Sequence, residues 1–133
     1  HGGLGMAITS EIIGKLGGAD VETTSVNRLI KKGDGFQVLH TITVDKPSLV
    51  AATLTHDNTD SFDGVSGRAG VALRGANKVH YAGSYGVSQA AGNPLSIAAG
   101  LSAGTWTIEA TYNPGTGLSE YTVNTVTIVT TPL

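Results

Sequence analysis

Thr105-Trp106-Thr107-Ile108-Glu109-Ala110-Thr111-Tyr112 decides the fold class. Trp106, Ile108, Ala110 and Tyr112 fall on one side of a period of two, with Thr107, Glu109 and Thr111 on the other. Side chains alternate across a strand, so this segment reads as a strand with one dry and one wet face. Ser102-Ala103-Gly104 before it reads as a turn, and Asn113-Pro114-Gly115-Thr116-Gly117 after it as a loop.

The same reading extends outward in both directions. Phe36–Val44 alternates, with Phe36, Val38, His40, Ile42 and Val44 expected on one face. Gly33-Asp34-Gly35 before it supplies a turn that needs positive φ, and Asp45-Lys46-Pro47-Ser48 after it is a proline turn. Leu49–His56 follows as a strand. Gly67–Arg74 places Ala69, Val71 and Leu73 inward, Gly75-Ala76-Asn77 turns the chain, and Lys78–Ala82 returns with Val79 and Tyr81 on one face. Val21–Lys32 is mixed, with Val26, Leu29 and Ile30 apolar, and Leu95, Ile97 and Leu101 punctuate a small-residue stretch. Tyr121–Val129 is partly apolar on both faces, as in a central or interface strand. About eight short strands with turns between them predict an all-β antiparallel sandwich or jelly roll.

His1–Gly18 differs from the rest. It is glycine-rich without a sustained period and reads as a short N-terminal arm or linker, residues 1–18, ahead of a β-sandwich domain, residues 19–133. Within it Ser10–Gly17 fits two helical turns, with Ser10 as N-cap, Glu11 in the first turn and Gly17 past the end. The opening HGGLGMAITS has neither the basic nor the apolar stretch of a secretory leader.

Composition agrees and excludes several functions. The 133 residues include 19 glycines, and 40% are hydrophobic, 5% aromatic and 14% charged. A core without many aromatics must be aliphatic, and so much glycine disfavours helices. The net charge of −2 provides no basic stripe for nucleic acid. No apolar run is long enough for a bilayer-spanning helix. Zero cysteines exclude disulfides, thiolate metal sites and a cysteine nucleophile. A low-charge, threonine- and glycine-rich β-chain is a composition associated with virion and extracellular proteins.

The order of these elements resembles the trimeric jelly rolls of the C1q/TNF-like class and the heads of bacteriophage tail fibres and receptor-binding proteins. The resemblance is carried by Phe36–Val44 with Pro47 and Leu49–Thr55, by Gly67–Arg74 with Asn77, by Leu101–Tyr112 and by Tyr121–Val129. It implies a homotrimer with the C-terminal strand near the threefold axis and ligand contact through outer loops. The sparse aromatics depart from C1q-like cores, and no collagen-like Gly-X-Y repeat precedes the strands.

Candidate chemistry is thin. His1 with His40, His56 or His80 would match the histidine brace that holds copper in small sandwiches, imidazoles being suited to Cu(II). Asp57, Asp60 and Asp63 concentrate hard oxygens of the kind Ca²⁺ takes, without EF-hand spacing. Asx turns explain that loop equally well. Ser66 and Ser84 lack the G-x-S-x-G context of an activated serine. Tyr81, Tyr85 and Tyr112 pair an apolar ring with a polar tip, and with Asn77, Lys78 and Asn113 they form the candidate recognition set.

These readings predict a non-enzymatic virion structural protein without a cofactor, favouring no metal. It would be the trimeric receptor-binding head of a phage tail fibre, touching host-surface glycan or protein and other virion proteins, but neither nucleic acid nor the membrane interior. The alternatives are a secreted copper-binding sandwich using His1 and a carbohydrate-binding module.

Overall fold

The computed structural model describes residues 11–16, 18–31, 33–56, 68–83, 95–113 and 120–133. Nine strands run through them: β1 (Glu11–Leu16), β2 (Ala19–Lys31), β3 (Gln37–Val44), β4 (Ser48–His56), β5 (Arg68–Arg74), β6 (Val79–Gly83), β7 (Leu95–Leu101), β8 (Gly104–Asn113) and β9 (Glu120–Pro132). All pairings are antiparallel. One sheet has the order β1-β2-β9-β4-β7 and the other β3-β8-β5-β6. Apart from β1 at the edge, these are the eight interleaved strands of a jelly roll, in which most connections cross from one sheet to the other.

The inter-sheet core is aliphatic, as the composition requires. From the four-stranded sheet come Ala69, Val71 and Leu73 of β5 with Trp106, Ile108, Ala110 and Tyr112 of β8. Val50, Ala52 and Leu54 of β4 and Val123, Val126 and Ile128 of β9 meet them from the other sheet. Trp106 satisfies its indole by donating to the Ser102 carbonyl at 2.9 Å, so burying its nitrogen leaves no orphan donor. Its ring packs so closely on the β5–β6 turn that a Cβ on Gly75 would sit 2.9 Å from it.

Two local expectations change, and a third irregularity gains its cause. Glu11–Leu16 is not helical: it pairs with β2 from Glu11↔Thr24 to Leu16↔Ala19, and Gly18 at φ +90 makes the reversal. Gly14 weakens a helix, whereas Ile12 and Ile13 suit a strand, and β2 offers a backbone edge to pair with. In β3 the register shifts between Val38 and His40. Leu39 is the extra residue and packs on the core, while Phe36 and Val38 turn outward at 38% and 47% exposure. One residue inserted into a period of two exchanges the faces. In β2 a second shift lies between Ser25 and Arg28, with Asn27 at φ 44. Asparagine tolerates the left-handed region, and the interruption explains why Val21–Lys32 shows no clean period.

Gly75→Ala is expected to lower stability to urea by about 1–3 kcal/mol through overpacking against Trp106. Gly100→Ala, whose Cβ would meet nothing within 4 Å, should change it by less than about 0.5 kcal/mol.

Candidate functional site

With the core faces assigned, the register groups the outward side chains into rows. On the five-stranded sheet Thr23, Thr127, Thr53 and Ser96 stand opposite one another across β2, β9, β4 and β7. Ser25, Thr125 and Thr55 form the next row, and Val21, Val129, Ala51 and Ala98 the row on the other side. Hydroxyls pair along the rows, Thr23 with Thr127 at 3.0 Å, Thr53 with Ser96 at 3.2 Å and Thr55 with Thr125. Every position in these three rows is uncharged and none is buried.

The outer face of the four-stranded sheet differs. Val38, Glu109, Ala72 and Tyr81 form one row across β3, β8, β5 and β6, and Thr41, Thr107, Arg74 and Val79 the next. Phe36, just before β3, and Tyr81, on the opposite edge strand, lean across the sheet and meet edge to face, with centroids 5.7 Å apart and planes at 86°. Small residues permit this. A Cβ on Gly70 would lie 2.5 Å from the Tyr81 hydroxyl and 2.7 Å from its ring, so the ring rests on the β5 backbone.

Among these side chains Glu109 is only 5% exposed although it points away from the core. Arg74 Nε donates to both carboxylate oxygens, at 3.1 and 3.0 Å, and the Thr107 hydroxyl donates to Oε2 at 2.7 Å. A buried carboxylate needs such partners, because losing its hydration unpaired is costly. The guanidinium carbon lies 5.8 Å from the Phe36 centroid, within cation–π range.

A third feature is a cleft of about 830 Å³ where the sheets part beside β2 and β3, lined in part by Glu22, His40, Ile42, Asp45 and Ile128. His40 Nε2 is 3.4 Å from Glu22 Oε1, an ion-pair distance when the imidazole is protonated. No group of three His, Cys, Asp or Glu side chains able to hold a metal is found among the described residues. His40 and His80 stand on opposite edge strands of one sheet and His56 on β4 of the other. Three strand spacings, roughly 14 Å, separate the first two, so they cannot serve one ion together. His80 instead stacks on Trp106, with centroids 5.9 Å apart. His1, Asp57, Asp60, Asp63 and Tyr85 lie outside the described residues.

The candidate recognition set is dispersed. Tyr81 is on the outer face at 47% exposure. Asn77 and Lys78 are exposed in the β5–β6 turn, where Gly75 N–H donates to the Lys78 carbonyl at 2.8 Å. Asn113 pairs with Arg68 at the far end of β5, roughly 20 Å away at about 3.3 Å per residue. Tyr112 is a correction: at 2% exposure it belongs to the core and not to the surface. What alternation could not show was the meeting of Phe36, Arg74 and Glu109 with Tyr81. Their one sequence signal is the small pair Gly70 and Ala72 at outward positions of β5, leaving room for a neighbour's ring.

No family model matches the chain, and no curated protein matches it in sequence. Solved structures match it in fold. The VP2 subviral particle of infectious bursal disease virus aligns at a TM-score of 0.56 and 13% identity, over 86% of this chain and 33% of that one. T=1 particles derived from infectious bursal virus align at 0.52 and 14%, over 86% and 32%. The chain thus spans about a third of the viral chains it matches, and the likeness is one of fold. The xylan-binding module CBM15 aligns at 0.41 and 13% identity, over 90% and 87%, too loosely to define a shared fold.

Burial pushes the Tyr112 phenol up to about 12. Its unfolded value is near 10, so the unfolded chain loses that proton first, and stability present below pH 10 is lost as pH rises toward 12. Urea unfolding at pH 8 and pH 11.5 should show an alkaline loss that is smaller in Tyr112→Phe, by up to about 2 kcal/mol.

Proposed function

We propose that this chain is a non-enzymatic jelly-roll domain of a virion protein, a homotrimeric head of the tail-fibre kind that contacts the host surface. One observation carries the reading: the outer face of β2, β9, β4 and β7 has no buried position yet is uncharged along its three central rows. A sheet face left to water ordinarily carries charged or strongly polar residues. Interface centres are depleted in charge, because desolvating a charge costs more than contact returns. The paired threonine hydroxyls reduce the penalty further, since each pair keeps a hydrogen bond when water leaves.

This face has β9 near its centre, in keeping with a C-terminal strand turned toward sister copies. The fold shared with particle-forming VP2 supports a place in a virion. Charged side chains among the described residues lie off these three rows: Arg74 and Glu109 on the four-stranded sheet, Asp45, Lys46 and Lys78 in turns, and Glu22 and Arg28 at other positions of β2. The four-stranded sheet is left free to face outward.

Light scattering on the purified chain at micromolar concentration should give a homotrimer, and Thr127→Lys, which puts a charge in the middle of the face, should shift it to monomer with the circular dichroism unchanged. A wild-type monomer, or a trimer indifferent to Thr127→Lys, would sink the reading.

A further inference from the structure

The structure assigns the outer face of the β3-β8-β5-β6 sheet to a neutral pyranose sugar, with Tyr81 as the stacking surface, Phe36 as the wall at its side and Arg74 as the donor to ring hydroxyls. The inference rests on the reading of this chain as a surface-contacting domain and deepens it by naming the ligand class and moving contact from loops to a sheet face.

Three observations select a sugar. First, the Tyr81 ring is seated on Gly70 and is 47% exposed, while the Phe36 ring stands perpendicular to it. A ring held against a backbone loses little freedom when a second flat body covers it. The axial C–H bonds of a pyranose present such a body, mildly positive and suited to the negative face of an aromatic ring. Second, Arg74 engages Glu109 through Nε alone. Its Nη groups make no hydrogen bond among the described residues, and its side chain is 43% exposed. Those N–H groups point from a planar fork fixed on one side by the carboxylate and on the other by Phe36. Third, Glu109 already matches the guanidinium charge. A carboxylate or phosphate ligand would therefore meet a pair of no net charge, and its desolvation would go uncompensated. Hydroxyl groups accept hydrogen bonds without bringing a charge, and the half-exposed Nη groups of Arg74 supply the donors. Val38 and Val79, at 47% and 43% exposure, give the margin an apolar floor on which a sugar ring loses no hydrogen bonds.

The test uses the whole chain and three probes: methyl β-D-galactopyranoside and lactose as neutral sugars, and 3′-sialyllactose as the acidic one. Saturation-transfer NMR should show transfer to the ring C–H protons of the neutral sugars. Amide shifts should be confined to the outer positions of β3, β5, β6 and β8. Tyr81→Ala should weaken binding on the order of tenfold, and Tyr81→Phe should leave it nearly unchanged. Shift mapping on the unaltered chain decides the matter even if Tyr81→Ala fails to fold. Shifts confined to loops or to the five-stranded sheet, an absence of transfer from both neutral sugars, binding of sialyllactose alone, or full binding by folded Tyr81→Ala would each overturn the assignment. So would concentration-dependent shifts at Phe36 and Tyr81 without sugar, which would mark the face as a protein interface. Light scattering separates the two readings: a trimer that ignores sugar refutes this site alone, and a monomer that binds it refutes the trimer alone.

Discussion

Two sheets that bury valine, leucine, isoleucine and alanine between them must offer such a side chain at every second residue, because a slip of one turns the whole dry face to water. With few aromatics available to fill gaps, the stripe Trp106, Ile108, Ala110 and Tyr112 of β8 has to meet Ala69, Val71 and Leu73 of β5 in strict register. Fixing those inward partners also fixes the outward ones. Glu109 lies between Val38 and Ala72 because Ile108 lies beside Leu73. The outer surface is thus a by-product of core register, which is why its side chains stand in rows.

Bulges are where that rule is broken to effect. Inserting Leu39 into β3 lets one residue more reach the core and sends Phe36 and Val38 to the opposite face. Without the insertion Phe36 would face inward, and the edge-to-face contact with Tyr81 could not form. The second interruption, between Ser25 and Arg28, falls where Asn27 takes a φ of 44, with Val26 beside it packed partly against the core. Each bulge exchanges a ladder hydrogen bond or two for a change of aim.

Alternation makes β5 and β8 legible, and the proline turn before Leu49–His56 marks the strand β4, and with them the sandwich. Pro47, Gly33 and Gly35 marked real reversals: Gly33 and Gly35 sit at φ +88 and +72, as the turn between β2 and β3 demands. What stayed hidden depends on partners distant in the chain. β1 is a strand because β2 has a free edge, which no local propensity records. The bulge at Leu39 is silent, since Phe36–Val44 alternates well in either register. Tyr112 was read both as inward by period and as a recognition residue by type, and the period was right. The charge-free rows were foreshadowed by the two apolar faces of Tyr121–Val129, but their extent over four strands needed the pairings. Arg74 and Glu109 are 35 residues apart, and nothing short of the register joins them.

A carboxylate buried on the outer side of a sheet contributes little net stability, since an apolar replacement of similar volume commonly serves as well or better. Its effect here is geometric. The Arg74 Nε–H, shared between both carboxylate oxygens, tethers the guanidinium to the sheet beside the ring of Phe36. Thr107 holds the carboxylate in turn, from the neighbouring row of the same strand. Side chains constrained in this way lose little further entropy when something binds over them, the condition under which a small contact area yields measurable affinity. The sheet below supplies the rigidity: β8, carrying Glu109 and Thr107, is hydrogen-bonded on both edges by β3 and β5, and its inward side chains are sealed in the core. Rigidity at the surface is therefore inherited from packing beneath it, through one strand that serves both.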